Sequence, residues 1–267
     1  IQGRDIKLSN DKLLQVRNFT NKIYNATNYL LLNESKFEDL ENITLHSELA
    51  KYIYAKFQTC VKDVRENLDN YRFNDAANTL YKFFWDDFCD WGIELSKAEK
   101  SSVKELGSIF KEALKLLNPF MPFISEYLYH KLSDTELKTS PSIMISKYPK
   151  FKEQDKNIEK IFSLLIESIV SIRRAKSLID LGNSKIEKAY IKFNDKKIKD
   201  EIKAYMNFII MLAKCEQIEF SEEKLPKAIC DVSENLEIFI TLENVDLSGI
   251  LTRLENQKNK LEKESSK

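Results

Sequence analysis

DNYRFNDAANTLYKFFWDDFCDWGIELSK, residues 69–97, is the stretch on which the fold turns. Within it Phe73, Ala77, Leu80, Phe84, Phe88, Trp91 and Leu95 recur at steps of three or four. That is the stripe of an amphipathic helix about seven turns long. Phe83, Trp85 and Ile93 lie off the stripe, so the helix is apolar on more than one side. Such a helix belongs in the middle of a bundle, with neighbours over several faces. Asn70, Asn74 and Asp75 supply candidate N-caps for it.

The neighbours are legible on either side. Asn10 or Asp11 can cap a helix to about Leu32, with Leu13, Val16, Phe19 or Thr20, Ile23, Ala26 and Leu30 on one stripe. Thr44 is read as the cap of a second helix, to about Leu68, burying Leu45, Leu49, Ile53, Phe57, Cys60, Val64 and Leu68. After the central helix, a fourth spans Val103 to Leu117. It stops at Asn118, because the proline at 119 disfavours helical geometry in the residue before it. Pro122 suits the first turn of a fifth, to about Leu132. Antiparallel helices joined by short loops make a bundle, expected over residues 10–150.

A Ser-, Thr-, Lys- and Pro-rich stretch from Ser133 to Lys156 marks a change of character. Beyond it the pattern predicts a helix from Ile158 to Leu181, stopped at Gly182-Asn183. A strand at 188–193, a helix at 198–214 and strands at 216–220, 228–232 and 236–242 follow. This predicts a small α+β domain over 151–246, with an antiparallel sheet. From 247 to 267 Leu247, Leu254 and Leu261 are spaced by sevens, the start of a coiled coil that fades into charge. Residues 1–9 read as a connector, and an opening Ile-Gln-Gly-Arg without Met reads as that of an excised fragment.

Composition narrows the class. Apolar residues make up 43% and charged residues 31%, with only five Gly and five Pro, which favours helices over a turn-rich sheet protein. No apolar run reaches the roughly 18 residues of a membrane span, and a cytosolic protein is expected. Cys60, Cys89, Cys215 and Cys230 are far apart and in no CxxC, so reduced, mostly buried thiols are expected and a structural zinc is not. Net charge is zero but uneven: Pro141–Lys214 holds 16 Lys/Arg against 9 Asp/Glu, and Cys215–Leu247 holds 2 against 9. The basic stretch could dock an anion or be a solvated face.

Catalytic groupings are scarce. His46 and His130 sit in different helices and read as surface or satisfied core residues. Asp86, Asp87 and Asp90 cluster on the central helix, where carboxylates one turn apart can share a proton or a metal. No third ligand type follows at a useful spacing, so salt bridging or capping is the favoured reading. There is no Gly-rich phosphate loop, no G-x-S-x-G and no Cys/His pair. No catalytic site is expected in this stretch.

Recognition is better supported. In RNFTNKIYN, residues 17–25, Asn18, Asn21, Lys22 and Asn25 fall on or near one face, after Arg17. Asparagines cost helix propensity, so three of them within eight residues suggest a polar task. Tyr29 follows Lys22 by seven positions on the same side. Amides for base edges, a cation for phosphate and a ring for stacking are what unpaired bases require. The alternative is an ordinary polar bundle face with Tyr29 in the core.

Several separated motifs resemble the valyl-tRNA synthetase family, in that family's order. They are GRDIKLS (3–9), RNFTNKIYNA (17–26), the opening stretch above, NPFMPFISEYLY (118–129), SIMISKYP (142–149), IRRAKS (172–177) and LSGILTRLENQKNKLEK (247–263). NPFMPFISE is shared widely among class I synthetases for branched aliphatic amino acids, whereas RNFTNKIYNA and FFWDDFCDWGIELSK point to the valine enzymes. The resemblance implies a helical anticodon-binding domain with a C-terminal module, and tRNA(Val) as partner of a monomeric ligase. ATP and Mg would be used by a catalytic domain whose His-Ile-Gly-His-like and Lys-Met-Ser-Lys-Ser-like signatures are not in this sequence; they would lie upstream of Ile1. The family's anticodon-contacting Lys and aromatic match Lys22 and Tyr29, the latter commonly Phe. IRRAKS is similar to part of the family's fuller IRxIRAEM pattern in an arginine-rich helix, making Arg173, Arg174 and Lys176 candidate phosphate contacts. Two other readings are a helical scaffold for protein partners and the equivalent part of an isoleucine enzyme.

Overall fold

The computed structural model describes residues 9–154, 156–195, 198–226, 228–241, 258 and 262. The chain divides into two compact units, Ile1–Glu159 and Lys160–Lys267. The first is a helical bundle and the second carries a small four-stranded sheet.

In the first unit the helices are α1 (Asn10–Asn33), α2 (Glu48–Asp69), α3 (Phe73–Lys82), α4 (Ile93–Ser96), α5 (Val103–Leu117) and α6 (Pro122–Ser133). A π-helical stretch, Phe83–Gly92, joins α3 to α4 without a break, since Lys82, Phe83, Gly92 and Ile93 all keep right-handed helical backbone. The amphipathic reading therefore holds, but its stripe shifts. Phe73 is exposed, and Ala76, Leu80, Phe83, Phe84, Phe88, Cys89 and Gly92 are buried. From Phe83 onward the cause is the i→i+5 hydrogen bonding of a π-helix, seen where the Ile93 N–H donates to the Phe88 carbonyl. Residues five apart, such as Phe83 and Phe88, then share a side, with ring centroids 6.3 Å apart. Phe110 of α5 packs against both Phe84 (5.4 Å) and Phe88 (4.7 Å), so the middle of the bundle is an aromatic cluster.

Local caps set the helix ends, reinforced at α2 by a tertiary partner. Ser47, not Thr44, caps α2: its hydroxyl accepts from the Ala50 N–H at 3.1 Å. Glu105 of α5 fixes that start by accepting from the His46 and Ser47 N–H groups at 3.0–3.1 Å, an anion at a helix N-terminus. The expected caps Asn70, Asn74 and Asp75 do not cap α3, whose N-cap is Arg72 with no side-chain bond. Instead α2 ends in a Schellman turn. Arg72 N–H donates to the Asn67 carbonyl at 2.7 Å and Tyr71 N–H to Leu68 at 3.0 Å, with Tyr71 left-handed at φ 56°.

In the second unit α7 (Lys156–Leu178, its first residues belonging to the first unit) precedes β1 (Ile186–Phe193), α8 (Ile198–Lys203), α9 (Met206–Ala213), β2 (Cys215–Phe220), β3 (Ala228–Val232) and β4 (Leu236–Thr241). The strand order is β2-β1-β4-β3. The sheet is mixed, where an antiparallel one was expected: β1 pairs with β2 in parallel, Ile186 opposite Cys215, and the other two pairings are antiparallel. The helical connection α8–α9 is the physical reason, because it carries the chain back to the starting edge as a parallel crossover requires. The coiled-coil start expected over 247–267 lies outside the described residues, apart from Lys258 and Glu262, which form an i,i+4 ion pair at 3.8 Å. The connector expected at 1–9 also lies outside them except for Ser9, whose hydroxyl caps α1.

Candidate nucleic-acid interface

Helix α1 turns Phe19, Ile23, Ala26, Thr27 and Leu30 into the bundle. At 100° per residue, Asn18, Asn21 and Asn25 fall on the opposite, solvent side, and all three are exposed, as is Arg17 one turn before Asn21. Lys22 and Tyr29 lie at the border between the two sides and are half-buried. After Asp11 the helix carries no carboxylate side chain.

Lys22 is held rather than free. Its Nζ lies 2.6 Å from Asp90 Oδ1 and 3.6 Å from the centroid of the Trp85 ring. Trp85 stacks on Tyr81 (5.4 Å, 11°), and Tyr81 stacks on Phe19 (5.1 Å, 26°). An ammonium thus ends a ladder of three rings, a cation–π arrangement. In an α-helix Trp85 and Asp90 would point about 140° apart. The π-helical stretch brings residues five apart to one side, and so lets both reach the same lysine. Tyr29 is tied down as well, its hydroxyl 2.9 Å from Ser96 Oγ. Lys100 Nζ lies 5.5 Å from the Tyr29 ring centroid and donates to Asn33 Oδ1 at 3.2 Å.

The three candidates in α7 have other partners. Arg173 donates through Nε and Nη2 to the Leu212 carbonyl at 3.1 and 2.8 Å. Lys176 is 0% exposed and donates to the Ala213 carbonyl at 3.0 Å; burial lowers its pKa. These two cations close the C-terminal end of α9, where free carbonyls and the helix dipole favour positive charge. Arg174 pairs with Asp231 at 3.0 Å. Arg173 and Arg174 keep exposed surface, whereas Lys176 has none to offer a phosphate.

The acidic cluster separates by environment. Asp86 is exposed, Asp90 pairs with Lys22, and Asp87 is half-buried. Burial pushes the Asp87 carboxyl up to about 6, against the opposing pull of Lys56 and Lys82. His130 is buried between Thr135 Oγ1 (2.8 Å) and Glu126 Oε1 (3.1 Å), and His46 is exposed. Cys60, Cys89 and Cys215 are buried, and burial raises the Cys89 thiol to about 12 and the Cys215 thiol to about 11. Cys230 is exposed, so the thiols are mostly buried, as expected. Among the described residues no group of three or more His, Cys, Asp or Glu is placed to hold a metal ion, and no helix is long and apolar enough to cross a membrane. Trp85, as the seat of Lys22, escaped the sequence reading; its place off the apolar stripe was the available signal.

Known proteins share this chain's sequence. The family profile described as the anticodon-binding domain of tRNA ligase matches residues 50–191, more than half of the chain. The whole chain is 99% identical to part of a valine–tRNA ligase of Campylobacter jejuni (strain RM1221), covering 31% of that protein. It is 51% identical over its full length to 30% of the valine–tRNA ligase of a Nitratiruptor species. It is 35% identical over 98% of its length to 30% of the valine–tRNA ligase of Thermotoga maritima. The chain therefore spans about a third of the length of the curated relatives it matches.

Proposed function

Because the chain belongs to the anticodon-binding domains of tRNA ligases, matching valine–tRNA ligases along its length, we propose that it reads the anticodon loop of a valine tRNA. It does so for a ligase that joins valine to that tRNA. ATP and Mg serve the joining reaction in a catalytic domain outside this chain.

The observation that carries this reading is the solvent side of α1. Asn18, Asn21 and Asn25 are exposed in a row, bordered by Lys22 and Tyr29, on a helix without a carboxylate side chain after Asp11. Amides offer paired donors and acceptors to base edges. Lys22 supplies a cation from a fixed place, since its Nζ rests on the Trp85 ring. Tyr29 keeps a ring face beside Lys100 while its hydroxyl is engaged with Ser96. A site preorganised in this way loses less side-chain entropy on binding. Lys22→Ala and Tyr29→Ala should each weaken binding of a valine-tRNA anticodon hairpin, by roughly 1–3 kcal/mol where a base stacks on the ring. Fluorescence anisotropy checks this, and unchanged affinity in both variants would remove the site from α1.

A further inference from the structure

We infer that the seam between α1 and α6 is a second RNA-binding surface, a stacking platform for unpaired nucleobases on the flank of α1 away from Lys22. The inference rests on the tRNA reading above and extends it to residues which that reading leaves unused. Two positions after Lys22, Tyr24 lies on the other flank of α1. Its ring stacks on Tyr127 of α6, with centroids 6.4 Å apart at 14°, and the two are 37% and 40% exposed. Lys131 Nζ lies 4.8 Å from the Tyr24 centroid and donates to Asn28 Oδ1 at 2.7 Å. One turn before Tyr127, Phe123 is 90% exposed. Phe123, Tyr127 and Lys131 are spaced by fours and so run along one side of α6.

The chemistry of this seam favours RNA over a protein partner. Rings, an amide and a cation are the groups that take up bases and their backbone. Charge agrees. From Lys12 to Asn33 helix α1 has no acidic residue, and α6 has one, Glu126. Both Glu126 oxygens are held inside the unit, Oε1 by His130 at 3.1 Å, Oε2 by Ser142 Oγ at 2.9 Å and the Ile143 N–H at 3.2 Å. Past Asp11, neither helix turns a free carboxylate side chain toward an approaching phosphate. A ring as exposed as Phe123 gives little to folding, and a base stacked on it would remove that apolar surface from water.

The test uses the whole chain and, as probe, a fluorescein-labelled anticodon hairpin of a valine tRNA, read by anisotropy. The variants are Phe123→Ala, Tyr127→Ala, Tyr127→Phe and Lys22→Ala, with thermal melts for each. Phe123→Ala and Tyr127→Ala should each lower affinity about fivefold or more, and Tyr127→Phe should keep it. If both alanine variants stay within about twofold of the parent while Lys22→Ala binds weakly, the platform is overturned and the α1 site stands. If Lys22→Ala is neutral and the alanine variants bind weakly, the platform stands and the α1 site falls. A parent chain that ignores the hairpin would overturn both. Should Tyr127→Ala melt early, Phe123→Ala decides, because so exposed a side chain can be removed without loosening the bundle.

Discussion

Under the proposed reading Lys22 attracts RNA while its charge is already answered by Asp90. The pair is exposed on the Asp90 side, at 51%, and an ion pair of that kind is worth about 0–1 kcal/mol. Asp90→Asn should therefore leave stability nearly unchanged, keep Lys22 on the Trp85 ring, and tighten tRNA binding about two- to fivefold. Anisotropy titrations check this; weaker binding would mean that Asp90 positions Lys22 rather than competing for it. Asp87, three residues earlier in the same π-helical stretch, behaves differently, because burial raises its carboxyl to about 6. A raised carboxyl pKa favours the folded state below the unfolded value, and that advantage is lost as pH climbs through about 6. Ionised Asp87 thus costs stability at neutral pH, on the order of 2–3 kcal/mol. Asp87→Asn should raise Tm relative to the parent at pH 7.5, with the gap shrinking toward pH 4. A gap independent of pH would show that Asp87 ionises without penalty. Spacing foretold that Asn18, Asn21 and Asn25 share an exposed side of α1 with Lys22 and Tyr29 beside it, but not the partners of those two. Asp90 and Trp85 lie more than sixty positions from Lys22, and only tertiary packing joins them.

At the scale of elements, the periodic helices read best, since burial follows a repeat written in the sequence. The span Val103–Leu117 was legible from its apolar repeat, although Asn118 keeps right-handed helical backbone before Pro119, so the helix ends where the proline has no N–H to donate rather than at a strained Asn118. The π-helical stretch was not, because apolar residues at three, four and five steps fit α and π geometry alike when many aromatics are adjacent. The parallel β1–β2 pair escaped for a similar reason: strand patterns give burial, not direction. The packing of α5 is open to a direct check at Gly107, which lies under Phe37, where an added Cβ would come within 2.1 Å of the ring. Phe37 is buried, and its carbonyl accepts from Lys111 at 3.0 Å, so the ring has little room to retreat. Gly107→Ala should destabilise by about 1–3 kcal/mol in urea melts, and a neutral effect would show that the segment carrying Phe37 yields.

At the scale of the whole molecule, the bundle carries the exposed asparagines of α1, and Arg173, Arg174 and Lys176 of the sheet unit bond to partners within that unit. The positive balance of Pro141–Lys214 allowed an anion dock, yet Arg173 and Lys176 donate to the Leu212 and Ala213 carbonyls. Arg173→Ala should lower Tm and leave the salt dependence of tRNA binding as it was; a shallower salt slope would make Arg173 a phosphate contact. Composition could not reveal this, because a count of charges does not say which of them face inward. The most direct test of anticodon reading compares the chain's binding to a valine tRNA with its binding to the same tRNA carrying a replaced anticodon, each across a salt series. Anticodon reading predicts that the replacement weakens binding at every salt concentration while the two log–log salt slopes stay parallel, because the phosphates are unchanged. Equal affinity for the two RNAs would contradict it.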